Sequence, residues 1–217
     1  MDLFEVMRTT GTCRDFKPDA VPDDVLYTAL DAARFGPQGG NRQPLSWVMV
    51  RDRELKTALR ELYIVPWRAY IQERVGVDAD DPTAPKFVRD ATRMAHAIAD
   101  IPIIAVLCVD LERLQVVDRD LDRVSVVGGA SIYPTMQNFT LALRAQGVAT
   151  AVTTLLVAAE AEVKKLLEIP AELATAAHVM VGYPQKPFPR RLTRRPVEEM
   201  TFADKHGRPM FASEAGS

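Results

Sequence analysis

The chain has 217 residues, a formal net charge of −2 and a hydrophobic content of 47%. This length allows one large domain or two small ones, and the hydrophobic content is ample for a core. A charge so near zero argues against a general nucleic-acid binder. No segment approaches the ~20 consecutive apolar residues that a membrane-spanning helix needs.

The sequence also shows no pattern typical of a targeting signal or of a metal-binding site. A signal peptide begins with basic residues that are followed by an apolar run, and the first five residues do not have this form. We therefore expect a cytoplasmic protein. The two cysteines and three histidines are widely scattered. Such spacing predicts neither a disulfide framework nor a metal site.

The N-terminal region changes character after a short helix predicted over residues 2–8. Residues 9–16 contain three threonines, a glycine and Arg14, which is too polar for a core. Hydroxyls, free backbone N–H groups and an arginine fork suit a phosphate or an anionic ring edge. An ordinary exposed loop is the alternative interpretation.

The next distinctive stretch, residues 35–45, lies between a helix predicted over residues 21–35 and an apolar strand predicted over residues 46–50. Its prolines and glycines disfavour both regular elements. Three amide side chains, each able to donate and accept at one site, lie in this loop: Gln38, Asn41 and Gln43. Such groups suit a flat heterocycle whose edge alternates C=O and N–H, although a plain surface turn has the same composition.

Residues 63–85 are the least regular part of the sequence, after a helix predicted from Asp52 to Leu62. The stretch contains Trp67 and Tyr70 and ends in an acidic, proline-containing segment. A long loop with aromatic side chains is often a lid, so these two residues are candidates for contact with a substrate. The alternative is that both rings pack on a neighbouring helix.

The second half of the chain alternates between further predicted elements. Helices are expected over residues 86–99 and 160–168, and strands over residues 102–109, 148–154 and 176–182. The longest helix is expected after residues 128–131, ending near Gly147. Residues 183–217 are rich in proline and arginine and predict an extended arm that follows a domain formed by residues 1–182.

Three motifs resemble one known family. They read Thr12-Cys13-Arg14-Asp15-Phe16, Val21-Pro22-Asp23-Asp24-Val25-Leu26, and Pro37-Gln38-Gly39-Gly40-Asn41-Arg42-Gln43-Pro44. Thr153-Thr154 and Arg194-Arg195 follow in the expected order. Together these motifs resemble the FMN-dependent nitroreductase superfamily over nearly the whole chain.

The resemblance implies an α+β fold with a central mixed β-sheet flanked by helices. It also implies an intertwined homodimer with FMN at the interface, bound by both chains. The C-terminal arm would then reach onto the partner subunit.

The resemblance also implies roles for individual residues. Arg14 would face the pyrimidine edge of the flavin, while Thr12 and Arg194 would hold its phosphate. Thr153 and Thr154 would lie near the N5 side of the ring. The other chain would supply five residues to the ring: Pro37, Gln38, Gly39, Asn41 and Gln43.

The chain departs from the family's pattern at several positions. Family members usually carry basic residues where this chain has Thr10 and Gly11, and Arg8 is close enough to replace them. Gln38 stands where a serine is common, and Leu45 where an aromatic residue is common. Both changes could reshape the pocket.

The activity implied is that of an NAD(P)H-dependent flavin oxidoreductase. Hydride would pass from NAD(P)H through flavin N5 to a small electrophile such as a nitroaromatic, a quinone or an enone. A reductive dehalogenase of the deiodinase type is one alternative, and a flavin-binding or storage protein without turnover is another. Cys13 beside Arg14 could form a reactive thiolate, but no partner base is evident.

Overall fold

The computed structural model describes residues 1–212. Its helices are α1 (Leu3–Thr9), α2 (Asp23–Ala33), α3 (Arg53–Val75), α4 (Lys86–His96), α5 (Tyr133–Ala145) and α6 (Glu160–Leu166). Its strands are β1 (Leu45–Val50), β2 (Ile103–Asp110), β3 (Ala149–Thr153) and β4 (Leu173–Gly182). No helix within these residues has the length and apolarity needed to cross a bilayer.

The four strands form one sheet in the order β1-β2-β4-β3. All three pairings between these strands are antiparallel. Parallel pairing occurs at an isolated bridge between Thr12 and Thr150, where the N-terminal segment runs beside β3. The α+β architecture predicted from the sequence is confirmed.

Helices cover both faces of the sheet, and β2 shows why. Every residue of β2 from Ile103 to Val109 is buried, as expected of a strand that has neighbours on both sides and helices on both faces. Ile104 and Val106 pack with side chains of α3 and α4. Ile103 and Ala105 face the opposite way and pack with α2 and α5.

Helix α3 corrects the prediction of an irregular segment over residues 63–85. The helix runs 23 residues, to Val75, and continues through Pro66. A proline inside a helix costs about 3 kcal/mol, but continuation buries Trp67 and Ile71. At about 1.5–3 kcal/mol for each large apolar side chain, that burial offsets the cost. Residues 63–75 are therefore helical rather than irregular, and contact of Trp67 or Tyr70 with a substrate stays a prediction.

The remaining part of that segment, residues 76–85, is also held down. Ala79 and Ala84 are buried. The Trp67 indole N–H donates to Thr92 Oγ1 over 3.0 Å, and that hydroxyl donates to the carbonyl of Ala79 over 3.0 Å. The Thr92 hydroxyl thus fastens this loop to α4, and the Trp67 indole fastens α3 to the same hydroxyl.

Other predicted elements are confirmed with shifted boundaries. Strand β4 begins at Leu173 rather than residue 176. Helix α5 has 13 residues, so α3 and not α5 is the longest helix. In α4, Phe87 is 59% exposed and Val88 is buried.

The C-terminal arm begins along its own chain. The Gln185 N–H donates to the carbonyl of Asp15 over 2.9 Å, and the Leu192 N–H to that of Arg8 over 2.9 Å. Residues 201–210 then hydrogen-bond among themselves, for example Met210 N–H to the carbonyl of Thr201 over 3.1 Å. Contact of the arm with a partner subunit stays a prediction.

His178 is a polar residue in the middle of the core. It lies on β4 opposite Thr153 and is fully buried. Neither ring nitrogen has a hydrogen-bond partner within residues 1–212. Burial lowers the pKa of His178 to about 4, against the opposing charge of Glu160. The imidazole is therefore neutral in the folded protein at neutral pH, while in the unfolded chain it titrates near pH 6.5.

The position of Trp67 predicts a loss of stability on truncation. Trp67→Ala should lower the free energy of unfolding by about 3–5 kcal/mol, because it empties a core site. Tyr70→Ala is the matched control: this ring is 42% exposed, so its loss should cost about 1 kcal/mol or less. Urea unfolding followed by circular dichroism measures both. Equal, small losses would contradict a core role for Trp67.

His178 predicts a loss of stability in mild acid. Between about pH 6.5 and pH 4 the unfolded chain carries a proton on His178 that the folded protein does not bind. The free energy of unfolding therefore has its full value above pH 6.5 and decreases as the pH falls from 6.5 to 4. From pH 7.5 to pH 5 this residue should remove about 2 kcal/mol. His178→Leu should lack this part of the slope in urea unfolding at the two pH values. An unchanged slope would show that His178 is not the group responsible.

Candidate functional site

The N-terminal segment after α1 forms one wall of the candidate site. The Cys13 N–H donates to the carbonyl of Thr150 over 2.9 Å, which holds the segment extended along the edge of β3. Successive side chains of an extended segment point to opposite sides. Thr12 and Arg14 are exposed, and Cys13 between them is partly buried.

A cleft of about 580 Å³ lies along this segment, within the range of about 300–1,000 Å³ found for ligand and cofactor pockets. Residues 10–15 form one wall. The arm forms much of the other, through Pro187, Phe188, Leu192 and Arg194. The structure therefore brings Thr12, Arg14 and Arg194 to one cleft.

The cations of the cleft fall into two kinds. Arg93 and Lys186 each form an ion pair with Asp15, whose pKa is lowered by the hydrogen bond from Lys186 and then by Arg93. Arg14 and Arg194 have no carboxylate partner within 4.0 Å in the described part of the chain. Two uncompensated guanidinium groups leave the cleft suited to an anion.

Cys13 does not supply a thiolate to this cleft. Its thiol donates to the carbonyl of Asp15 over 3.2 Å. Burial raises the pKa of Cys13, against the lowering effect of that hydrogen bond. The thiol therefore stays protonated at neutral pH.

A second group of polar residues occupies the loop before β1. Gly40, Asn41 and Gln43 have φ values of 60°, 52° and 49°. Left-handed backbone is uncommon outside glycine and costs about 1–3 kcal/mol where a side chain is present. The loop is held at both ends: Gly39 N–H donates to Ser131 Oγ over 3.0 Å, and Asp110 N–H to the carbonyl of Pro44 over 2.8 Å.

This second group carries polar atoms suited to a ligand. Pro37 and Gly39 are exposed beside Asn41 and Gln43. The buried Oε1 of Gln38 has no hydrogen-bond partner in residues 1–212. An unpartnered buried acceptor together with strained polar residues is a pattern of binding loops.

The sheet keeps the two groups far apart within one chain. They lie at opposite edges, and because the N-terminal segment lies beyond β3, four strand spacings or roughly 19 Å separate it from β1. Leu45 is level with Val109 of β2, whereas Thr150 is level with Val181, which pairs with Ile103 of β2. The offset from Ile103 to Val109 adds roughly 20 Å along the strands. One planar ring system cannot touch both Arg14 and Asn41 of the same chain at that separation.

Thr153 adds a hydroxyl at the same edge as Arg14. Its Oγ1 lies 3.4 Å from the Tyr63 hydroxyl and accepts the Leu155 N–H over 3.2 Å. Burial raises the pKa of Tyr63, and the nearby charge of Arg14 acts against the rise. Arg14, Tyr63 and Thr153 thus surround one region, with Thr154 exposed beside it.

Sequence reasoning did not identify Tyr63 as part of the site. The residue fell in the stretch predicted to be irregular. The available signal was helical spacing, since Leu59, Tyr63, Trp67 and Ile71 recur every four residues and are all buried.

Other predicted site residues lie away from the cleft. Arg8 borders a separate groove with Arg190 and Arg191. Trp67 is in the core and stacks on Tyr63, with ring centroids 6.3 Å apart. Tyr70 lies beyond Trp67, at 6.1 Å between centroids.

Comparisons with known proteins identify the family of this chain. The family model described as "Nitroreductase family" matches residues 7–183. The "Iodotyrosine dehalogenase 1 homolog" of Caenorhabditis elegans is 26% identical over 205 residues, which cover 92% of this chain and 60% of that protein. The chain spans 37% and 60% of the lengths of two curated relatives that it matches.

Solved structures share the fold. Oxidized iodotyrosine deiodinase bound to FMN and 3-iodo-L-tyrosine superposes with a TM-score of 0.68 at 21% identity, covering 90% of this chain and 96% of that one. The NADPH:FMN oxidoreductase from Vibrio harveyi complexed with NAD+ gives 0.66 at 17% identity, covering 94% and 77%.

Proposed function

This chain belongs to the nitroreductase family, and from that premise we propose that it binds FMN and acts as an NAD(P)H-dependent flavin oxidoreductase. The observation that carries the proposal is the pair of uncompensated cations, Arg14 and Arg194, in a cleft of about 580 Å³. FMN is a dianionic phosphate ester on a polar ring, and it matches that charge.

The chain's own residues divide the binding task. Arg194 and the Thr12 hydroxyl hold the phosphate through charge-assisted hydrogen bonds. Arg14 faces the pyrimidine edge and stabilises negative charge there, an electrostatic effect that is strongest in a site shielded from water. FMN, when bound, supplies hydride transfer between two substrates that bind in turn. No acid–base pair of the protein is required for that exchange.

A second copy of the chain completes each site. Because Arg14 and Asn41 are too far apart in one chain, a homodimer with two-fold symmetry brings the loop of one subunit to the cleft of the other. Residues 193–212 are exposed or half-buried and are available to lie on the partner. Gln38, Asn41 and Gln43 then supply amide hydrogen bonds to the ring.

The substrates are NAD(P)H and a small electrophile such as a nitroaromatic, a quinone or an enone. The proposal of NAD(P)H as a substrate is supported by the similar fold of the Vibrio harveyi protein named NADPH:FMN oxidoreductase.

Reductive dehalogenation is the second candidate function. The relative from Caenorhabditis elegans, which matches 92% of this chain, is named an iodotyrosine dehalogenase homolog. Halide release from iodophenols distinguishes this activity from reduction of nitroaromatics. A flavin-storage protein would do neither and would not oxidise NAD(P)H.

Purified protein should bind FMN, absorb in the flavin bands and lose that absorbance on addition of NAD(P)H.

Arg194→Ala should weaken the binding of FMN by about ten- to a hundredfold, because it removes a charge-assisted hydrogen bond worth roughly 1.5–3 kcal/mol. Riboflavin, which lacks the phosphate, is the matched control and should bind the variant and the wild type alike. Isothermal titration measures all four affinities. A wild-type protein that fails to bind FMN would contradict the proposal.

A further inference from the structure

Arg144, in the last turn of α5, is a buried cation. The residue is 6% exposed, and no carboxylate lies within 4.0 Å of its guanidinium in residues 1–212. Its Nη1 donates over 3.3 Å to the sulfur of Met1, which is a weak acceptor, and its Nε has no partner among those residues. Burial lowers the pKa of Arg144, against the opposing charge of Glu5. A buried charge with so few partners needs another source of stabilisation.

The C-terminal arm supplies that stabilisation. The guanidinium carbon of Arg144 lies 3.8 Å from the centroid of the Phe188 ring, well inside the range of about 6 Å for cation–π interactions. The negative face of the ring partly neutralises the charge, and the interaction is strongest where water is excluded. Phe188 also lines the cleft that contains Arg14 and Arg194. The contact therefore ties α5 to the wall of the candidate site.

The arm is fixed a second time where it crosses Gly11. The Leu192 N–H donates to the carbonyl of Arg8 over 2.9 Å. A β-carbon at position 11 would lie 3.1 Å from Leu192 Cδ2 and 3.3 Å from Pro189 Cγ, closer than such atoms ordinarily approach. Because Gly11 has no side chain, the arm can lie directly on the N-terminal segment. Position 11 is also one of the two positions where the resemblance leads us to expect a basic residue.

Arg194 follows these contacts after only a short length of chain. Two residues span at most about 7 Å, so the position of Leu192 limits the position of Arg194. The Arg194 Nη1 donates to the carbonyl of Thr193 over 2.7 Å, a neutral acceptor that leaves the charge uncompensated. Gly11 and Arg194 both line the cleft. The arm therefore brings a cation to a wall where position 11 has none.

We propose that the Arg144–Phe188 contact holds the arm on its own chain, and that Arg144 is thereby a positioning residue for Arg194. Arg144 is not among the residues that line the cleft, so it acts through the arm. The proposal rests on the proposed function in one respect, that the anion which meets Arg194 is the phosphate of FMN. The preference of the cleft for FMN over riboflavin then depends on a buried residue of α5.

Arg144→Met tests this role, since it keeps an unbranched aliphatic chain and removes the charge that faces Phe188. Without that contact the arm should hold Arg194 in the cleft for less of the time. The association constant for FMN, divided by that for riboflavin, should fall about tenfold, because only FMN carries a phosphate. In an Arg194→Ala background the same change should leave this ratio unaltered. Isothermal titration with both flavins measures the ratio in each variant.

The seating of the arm can also be measured without flavin. Trypsin cleaves after arginine, and this part of the arm contains Arg190, Arg191 and Arg194. In ligand-free protein, Arg144→Met should raise the initial rate of cleavage at these arginines about tenfold, because a segment held by fewer contacts opens more often. Mass spectrometry of the fragments identifies the sites of cleavage.

Arg34→Met is the matched control for both measurements. The Arg34 guanidinium lies 4.3 Å from the centroid of the Phe35 ring, at the end of α2 and outside the cleft. The variant therefore removes a similar cation–π pair that does not hold the arm. Neither the ratio of affinities nor the rate of cleavage in the arm should change.

Two further variants test the proposal even if Arg144→Met fails to fold. Phe188→Leu removes the other partner of the contact and should lower the ratio, and the double variant should be no lower than either single variant. Gly11→Val displaces Leu192 and Pro189 while the Arg144–Phe188 pair keeps both of its side chains. It should lower the ratio as well.

The outcomes separate the two proposals. Wild-type protein that does not bind FMN overturns the proposed function, and the positioning role with it. If wild-type protein binds FMN but Arg144→Met and Phe188→Leu weaken FMN and riboflavin equally, the inference is wrong while the proposed function stands. Cleavage of the arm at the wild-type rate in both variants would also overturn the inference, as would a full loss of the ratio on Arg144→Met in the Arg194→Ala background.

Discussion

The strand order β1-β2-β4-β3 is the constraint that fixes where the polar groups of this protein lie relative to one another. Two strands separate the edge that carries Arg14 from the edge that carries the Asn41 loop. Hydrogen bonding between neighbours fixes that spacing, and no side-chain rotation can close it. The chain therefore holds two groups of polar residues at opposite edges of the sheet, each ordered by its own contacts. In the homodimer that we propose, two-fold pairing of identical chains would join unlike groups without any change in either.

The charges of the cleft explain why one half is ready for an anion. Asp15 is shared by Arg93 and Lys186, which fastens the N-terminal segment to α4 and to the start of the arm. The same pairing neutralises the local charge around Asp15. Arg14 and Arg194 are left with their full charge directed at the cleft, where a phosphate or an electron-rich ring edge can meet it.

Much of the fold follows from patterns that the sequence shows directly. The strand predicted over residues 102–109 is β2, and the helix predicted after residues 128–131 is α5. The main error concerns the segment after Leu62, where α3 continues through Pro66 although a proline normally ends a helix. The low helix propensity of proline is outweighed by the burial of side chains on the next two turns. That burial is a tertiary effect, which the sequence of a single segment does not show.

The site was predictable in residue type but not in arrangement. The motifs containing Arg14 and Asn41 identified the polar groups. The left-handed backbone at Asn41 and Gln43, however, is not evident from the sequence of this loop. Tyr63 was missed because its place in the site depends on a tertiary contact, between its hydroxyl and that of Thr153 at the end of β3. His178, an isolated histidine in the sequence, is buried without a partner, and only the register of β4 against β3 shows that it lies opposite Thr153.

The most direct test of the two-chain site is complementation between defective dimers. Arg14→Ala and Asn41→Ala homodimers should each bind flavin poorly at both sites. Refolded together in equal amounts, about half of the dimers are mixed, and each mixed dimer holds one site with both defects and one with neither. About a quarter of all sites should then bind FMN as the wild type does, given random pairing in a closed dimer. A mixture of Arg14→Ala with Thr12→Val, two changes in the same half, should regain none. Flavin binding in the first mixture that never exceeds the average of its parents would contradict the shared site.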